Sequence, residues 1–257
     1  YGCMDQFSDS WYCYQFRYCS VNNLGLMNKL NAGFCSHFPA VLNCCAENNE
    51  REYGQRMTNE QYYELIKPYE DASRMLLGRL ELLNRNLYAS RLEYGPIHNI
   101  QSRIKEKKSI EDKLHRLGHR DGVLNARDYL QDIAGIRMIC YFVDDIYNMV
   151  AVLKKQSDLV IMKEKDYIAF PKPNGYRSYH IVVGMPVYCL DTMEYFPVEV
   201  QFRTMSMDFW ASMEHRICYK KSPEHREILE QEFRKYAGVL QEIEEQFEKY
   251  SDVSRKR

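Results

Sequence analysis

No apolar run in this chain approaches the roughly 20 residues that a membrane-spanning helix needs, and its first residues carry no basic segment followed by an apolar stretch. No membrane span or secretory leader is expected, and a cytoplasmic location is. An excess of charge of one sign is missing too. Lys plus Arg number 35 against 36 Asp plus Glu, a formal net charge of −1, which disfavours a protein that coats nucleic acid and leaves local basic clusters as the only electrostatic signal. Cysteine is present without the patterns that give it a framework role. Cys3, Cys13, Cys19, Cys35, Cys44 and Cys45 crowd the start and Cys140, Cys189 and Cys218 follow, an odd total of 9 with no Cys-x-x-Cys and no zinc spacing. A disulfide scaffold or a metal module is therefore not expected.

What is there suits one medium domain, or one domain plus an appendage: 257 residues with 45% hydrophobic content can build a substantial core. Residues 1–56 show no sustained period of two or 3.6, mix aromatics with Asn, Ser and Cys, and begin with Tyr. They read as a poorly ordered extension, upstream sequence carried into the reading frame, with the functional unit at 57–257. From Thr58 the pattern turns helical, with Thr58 as N-cap, Glu60 in the first turn and Pro68 marking a break. The next helical run places Met75, Leu76, Leu80, Leu83 and Leu87 on a core-facing stripe, which could also serve in oligomerisation.

Gly95-Pro96 interrupts the chain, and the stretch Ile100 to Gly118 carries Arg103, Lys105, Lys107, Lys108, Lys113 and Arg116, read as a basic helix. Ser109 can cap a helix that ends at Gly118, so that Ser109, Lys113 and Arg116 share a cationic face opposite Ile110, Leu114 and Leu117. Such a face fits a solvated surface, RNA or nucleotide phosphates. Arg127 to Leu130 leads into Asp132-Ile-Ala-Gly-Ile-Arg137, and Ile136 to Val143 is apolar enough for an inner strand. Asp132 at its entrance can cap a turn or bind a metal. Asp144 and Asp145 open a helix over Ile146 to Lys155, a structural use of acids at the positive end of its dipole. Leu159 to Met162 and Tyr167 to Phe170 flank a further short strand.

The richest stretch runs from Lys172 to Arg203. Pro173-Asn174-Gly175 signals an exposed turn, followed by two extended segments, Ser178–Val187 and Glu194–Arg203. Alternation puts Glu199, Gln201 and Arg203 on one face and Val198, Val200 and Phe202 on the other. The polar face is either the wet side of a sheet or, with Tyr176, His180 and Asp132, a site able to hold Mg²⁺, phosphates and a base. Met205 to Lys220 has helical spacing in Phe209, Met213 and Ile217 beside Trp210. Ser222-Pro223 then opens a long final helix whose Ile228, Phe233, Tyr236, Leu240, Ile243 and Phe247 face inward or toward a partner, with Glu242, Glu244, Glu245 and Glu248 solvated.

Together, Asp132-Ile-Ala-Gly-Ile-Arg137, Gly175-Tyr-Arg-Ser-Tyr-His180, Glu199-Val-Gln-Phe-Arg203 and Phe209-Trp-Ala-Ser-Met-Glu-His215 resemble the synthetase domain of RelA/SpoT-type (p)ppGpp synthetases, and more narrowly the small alarmone synthetases. The resemblance covers roughly Met57 to Tyr250. It implies a mixed sheet of about five strands flanked by helices, related to nucleotidyltransferases; the order of elements by itself gives only α/β or α+β. It implies transfer of pyrophosphate from ATP to the 3′-hydroxyl of GDP or GTP. Glu199 would be the general base and, with Asp132, a ligand of Mg²⁺. Arg103 and Arg137 would sandwich the adenine; Lys105, Ser109, Lys113 and Arg116 complete the ATP positions, and His180 would bind phosphate. Tyr176 would stack on guanine, with Gln201 also on the acceptor side. Arg203, Glu214 and His215 match the motifs without an assigned role and would orient Glu199 and its strand. Asp208 departs from the Asn of close relatives.

Some tetrameric members bind an allosteric alarmone through lysines on an N-terminal helix; the corresponding places here hold Leu77 and Glu81, so that regulation is not expected, whereas a homotetramer remains compatible. With no adjacent His-Asp hydrolase motif and no room for regulatory domains after the synthetase, a synthesis-only enzyme is expected. Two other readings stay open. Related toxic enzymes modify the 3′ end of tRNA or adenine nucleotides with the same machinery. A non-enzymatic RNA-binding module would use Ile100–His119 and Tyr176, although it has no use for Asp132 and Glu199.

Overall fold

The structure, a computed structural model, describes residues 56–88, 95–189, 192–218 and 223–255. The N-terminal extension, apart from its last residue, and the Ser222 cap lie outside the described residues. In chain order the elements are α1 (Asn59–Tyr88), β1 (Ile97–Ile104), α2 (Lys107–Arg116), α3 (Val123–Tyr129), β2 (Ala134–Cys140), α4 (Val143–Lys154), β3 (Val160–Asp166), β4 (Tyr179–Cys189), β5 (Thr192–Thr204), α5 (Met205–Cys218) and α6 (Pro223–Arg255). The strands form one mixed sheet in the order β1-β2-β5-β4-β3, in which β2 and β5 run parallel and the other neighbours antiparallel. This is the α+β architecture expected.

Helix α1 opens on a reciprocal cap: Gln61 N donates to Thr58 Oγ1 at 3.2 Å and Thr58 N to Gln61 Oε1 at 2.9 Å, which satisfies two of the amides a helix start leaves free. Pro68 does not break it. One helix of 30 residues runs through the proline, because Leu65, Ile66 and Tyr69 around it and Ala72, Leu76 and Leu80 beyond it are all buried. That continuous burial outweighs the one hydrogen bond the proline forfeits. Met75 is exposed, so the core stripe passes through Leu76 and Leu80 instead.

The basic stretch is also divided differently. Residues 97–104 form the edge strand β1 and the helix begins only at Lys107. Ile97, Ile100 and Ile104 pack on the core, and that β-branched set pairs well with β2. Ser109 therefore lies inside the first turn, and the extended residue before the helix is Glu106. The end is as expected: Gly118, with φ +80°, lets its own amide reach His115 O and the His119 amide reach Leu114 O, a Schellman closure that leaves Leu117 exposed. Val123–Tyr129 is a short helix that the sequence did not announce. Val160–Asp166 is a single strand, with Tyr167 to Phe170 a turn after it.

One face of the sheet carries Ile136, Met138, Ile181, Val183, Val198, Val200 and Phe202, all buried in the main core with Leu76 and Leu80 of α1 and Ile146, Met149 and Leu153 of α4. A second, small cluster of Trp210, Cys218 and Phe233 joins α5 to α6. In α6, Phe233 and Leu240 face inward, whereas Ile228, Tyr236, Ile243 and Phe247 are exposed. Glu244, expected in solvent, is buried.

Candidate active site

The sheet's second face collects the polar residues, because register decides which side chains stand together. Across β2 and β5, Gly135 faces Glu199 and Arg137 faces Gln201. Across β1 and β2, Arg103 faces Gly135 and Gln101 faces Arg137; across β4 and β5, His180 faces Gln201. Side chains opposite one another share a face. Arg103, Arg137, Glu199, Gln201, Arg203 and His180 thus project from four neighbouring strands to one side. Arg103 and Arg137 are diagonal neighbours at about 7–8 Å, a span that admits a planar ring stacked between two guanidinium planes. Gly135 stands opposite Arg103 on this face and adds no side chain between the two arginines.

Asp132 sits at the mouth of β2, where the Lys105 amide bonds to Ile133 O at 2.8 Å. Its Oδ2 receives Lys105 Nζ at 2.5 Å and Lys113 Nζ at 2.7 Å, while its Oδ1 is buried with no hydrogen-bond partner. Burial by itself raises the Asp132 carboxyl, but the two lysines outweigh it and hold it below the usual range. Burial likewise pulls Lys105 below the usual lysine range, against the opposing pull of Asp132. Glu199 accepts from Gln201 Nε2 at 2.9 Å and pairs with His180 Nδ1 at 3.3 Å. Burial pushes its carboxyl up, and these two partners more than reverse the shift.

Among the described residues no group of three or more His, Cys, Asp or Glu side chains converges as a metal cage. Mg²⁺ does not require one, since it is commonly held by one or two carboxylates together with water and substrate phosphates. The unpaired Asp132 Oδ1 and the nearby Glu199 carboxylate, which feels the Asp132 charge, fit that donor set.

The turn before β4 supplies the third group. Gly175, at φ +93°, donates to Lys172 O at 2.9 Å, Lys172 N donates to Tyr176 O at 3.1 Å, and Asn174 Oδ1 accepts from Tyr176 N at 3.1 Å. The Tyr176 hydroxyl meets His180 Nε2 at 2.8 Å and receives Arg203 Nη2 at 3.0 Å. With the Nδ1–H tautomer, donors run in one direction, from Arg203 to Tyr176 to His180 to Glu199. His180 thereby links the Tyr176 turn to Glu199, with both of its ring nitrogens engaged. Lys172 Nζ lies 4.8 Å from the Tyr176 ring centre and 4.9 Å from that of Tyr167.

Other expected residues stand further out. Ser109 and Arg116 are exposed on α2, and Arg116 Nε donates to Asp112 O at 3.3 Å. Glu199 is held directly by His180 and Gln201. Three contributors were missed in role. Arg203 Nη1 donates to Asp208 Oδ1 at 2.9 Å and Arg137 Nη1 lies 3.5 Å from the same atom, so the carboxylate of Asp208 joins two guanidiniums across β2 and β5. Lys172 and Tyr167 add a cation and a ring beside Tyr176; the Lys-Pro-Asn-Gly turn was the only available signal for the lysine.

Comparison with known proteins gives a match over residues 102–224 to the family described as "Region found in RelA / SpoT proteins". GTP pyrophosphokinase YwaC of Bacillus subtilis (strain 168) is 45% identical over 152 residues, 59% of this chain and 72% of that one. GTP pyrophosphokinase YjbM of the same organism is 37% identical over 166 residues, 65% and 77% of the two chains. In three dimensions the chain is similar to the crystal structure of small alarmone synthetase 1 from Bacillus subtilis bound to its product pppGpp. The TM-score is 0.67 at 31% identity, covering 76% of this chain and 98% of that one.

Proposed function

This chain belongs to the RelA/SpoT family, and we propose that it is a small alarmone synthetase, transferring the β,γ-pyrophosphoryl group of ATP to the 3′-hydroxyl of GDP or GTP and releasing AMP. The observation that carries this reading is the convergence of two carboxylates, Glu199 on the sheet face and Asp132 at the mouth of β2 beside it, with a row of cations. Both carboxyls are held in the ionised form against the opposing pull of burial, which a merely solvated face does not require.

Arg103 and Arg137 clasp the adenine between guanidinium planes, a geometry lysine cannot copy. Lys105 and Lys113 exchange Asp132 for phosphate oxygens, and Ser109 and Arg116 extend the cationic path along α2. Tyr176 stacks on the guanine, and Gln201 holds Glu199 in place. Glu199 takes the proton of the acceptor 3′-hydroxyl; the oxygen attacks the β-phosphorus of ATP, and the bond from that phosphorus to the α,β-bridging oxygen breaks, leaving AMP. Asp132 and Glu199 would hold Mg²⁺, which would offset the charge of the phosphates. The arginine-to-glutamate donor chain through Tyr176 and His180 couples acceptor seating to the orientation of the base.

We assign the activity to residues 57–257, in the cytoplasm, and chains lacking residues 1–56 should retain it. A homotetramer belongs to this reading and is supported by the exposed Tyr236, Ile243 and Phe247 of α6. Among the described residues no helix is long and apolar enough to cross a membrane. The test is anion-exchange separation of nucleotides after incubation with ATP, Mg²⁺ and, in parallel, GDP, GTP, ADP or deacylated tRNA. AMP appearing with ppGpp or pppGpp supports the reading. AMP formed only with tRNA or ADP replaces the acceptor, and no AMP with any acceptor refutes the enzyme.

A further inference from the structure

Arg177 and Glu244 form an ion pair that no step above uses. Their side chains are 10% and 6% exposed, with Arg177 Nη1 3.3 Å from Glu244 Oε2. The other carboxylate oxygen, Oε1, accepts from Ser206 Oγ at 3.0 Å, and Ser206 Oγ lies 3.1 Å from Thr204 Oγ1. Thr204 is the last residue of β5, and its hydroxyl accepts from the Met207 amide at 3.4 Å. One carboxylate on α6 therefore grips both the loop before β4 and the joint between β5 and α5. The same helix walls the loop tip. A Cβ on Gly175 would stand 2.8 Å from Ala237 Cβ and 3.1 Å from Arg234 Cα. Trp210 Nε1 donates to Phe233 O at 2.7 Å, pinning α5 to α6 one turn away.

Direction gives the pair its meaning. Tyr176 turns into the site, where its hydroxyl meets His180 and Arg203, and the next residue, Arg177, reaches out to α6. The two side chains are joined by a single peptide unit and turn to different partners, so anchoring one constrains the direction of the other. Apolar contact could fill the same space, and a buried pair often fails to recover its desolvation cost against such a replacement. An ion pair with a hydrogen-bonded third partner instead holds one geometry.

We propose that Arg177 and Glu244 are positioning residues for the acceptor nucleotide, tethering the Lys172–Ser178 loop to α6 so that Tyr176 and His180 stand ready before the acceptor arrives. This rests on the synthetase reading for its kinetic consequence and on the loop alone for its structural one. Misplacing a reacting group by about 1 Å can cost on the order of 10²-fold, so the tether's loss should lower acceptor kcat/KM by about 10- to 100-fold and leave KM for ATP within about twofold.

The test uses the full chain carrying Arg177→Met with Glu244→Met, a replacement chosen to avoid leaving one charge buried alone, and separately Glu244→Gln, which keeps size and one acceptor oxygen. Hydrogen exchange without nucleotide reads the Lys172 and Gly175 amides; steady-state kinetics reads GDP and ATP. The double variant should lose loop protection and acceptor kcat/KM, and Glu244→Gln should fall between it and the wild type. Wild-type protection together with wild-type acceptor kcat/KM in whichever variant folds overturns the proposal, as does an equal loss for ATP and GDP. A wild type that makes no product refutes the synthetase instead, and the exchange measurement still decides the tether.

Discussion

Replacing Glu199 by glutamine separates chemistry from architecture. The carboxylate is held by Gln201 Nε2 at 2.9 Å and His180 Nδ1 at 3.3 Å. An amide can keep the first bond through its oxygen and turn its NH₂ toward His180, which accepts once it adopts the other tautomer. The rearrangement costs at most about one ordinary hydrogen bond, about 1 kcal/mol, and removing a largely buried charge offsets part of it. Lys105, Lys113, Arg103 and Arg137 are untouched, so ATP affinity should stay within about twofold, below about 0.4 kcal/mol. Turnover should not survive, because a positioned general base contributes about 10²–10⁴-fold, or about 3–5 kcal/mol of barrier. The assay is AMP release with GDP at saturating ATP and Mg²⁺, so that weaker metal holding does not enter, alongside urea unfolding. A folded Glu199→Gln protein whose kcat stays within about tenfold of wild type, less than any positioned base supplies, refutes the assignment of the base.

Tyr176→Ala should raise KM for the guanine nucleotide by about 5- to 150-fold, the equivalent of about 1–3 kcal/mol of base stacking, whereas Tyr176→Phe should spare that KM and lower kcat by uncoupling His180 from Arg203. Equal effects of the two in steady-state kinetics would place the stacking elsewhere. Gly175→Ala must hold an L residue at φ +93° against Ala237 and Arg234. About 1–2 kcal/mol of backbone strain and about 1–3 kcal/mol of overpacking should appear in urea unfolding, with a raised acceptor KM. The folded pKa values of Asp132 and Glu199 are both depressed. Their contribution to stability is therefore fully present above the unfolded carboxylate values near about 4 and lost as pH falls through the folded ones. Urea unfolding from pH 7 to pH 3 should show this acid loss, and Asp132→Asn should flatten it; an unchanged slope would mean the lysines do not stabilise the ionised form.

Period and turn chemistry were the legible part. The split of Val198, Val200 and Phe202 from Glu199, Gln201 and Arg203 follows from backbone geometry alone, and the structure keeps it. Thr58 and Gly118 bound their helices through local hydrogen bonds, which nearby residues suffice to specify. The errors fell where distant partners decide. Pro68 reads as a breaker until α1 is seen buried on either side of it. The basic stretch reads as one helix until Ile97, Ile100 and Ile104 find β2. Glu244 reads as solvated until Arg177 and Ser206 arrive from elsewhere in the chain.

By itself, then, the sequence determined the chemistry available here: two acids, a cationic series, an aromatic on a glycine turn, and the alternation that presents them. Tertiary structure alone decided their company. Register brought Arg103 diagonal to Arg137 and Gly135 opposite Glu199, folding left Asp132 Oδ1 buried and unpaired, and α6 came to lie against the loop that carries Tyr176. Side-chain direction repeats every few residues and is local, whereas burial and pairing depend on groups far apart in the chain that meet only once the core has closed.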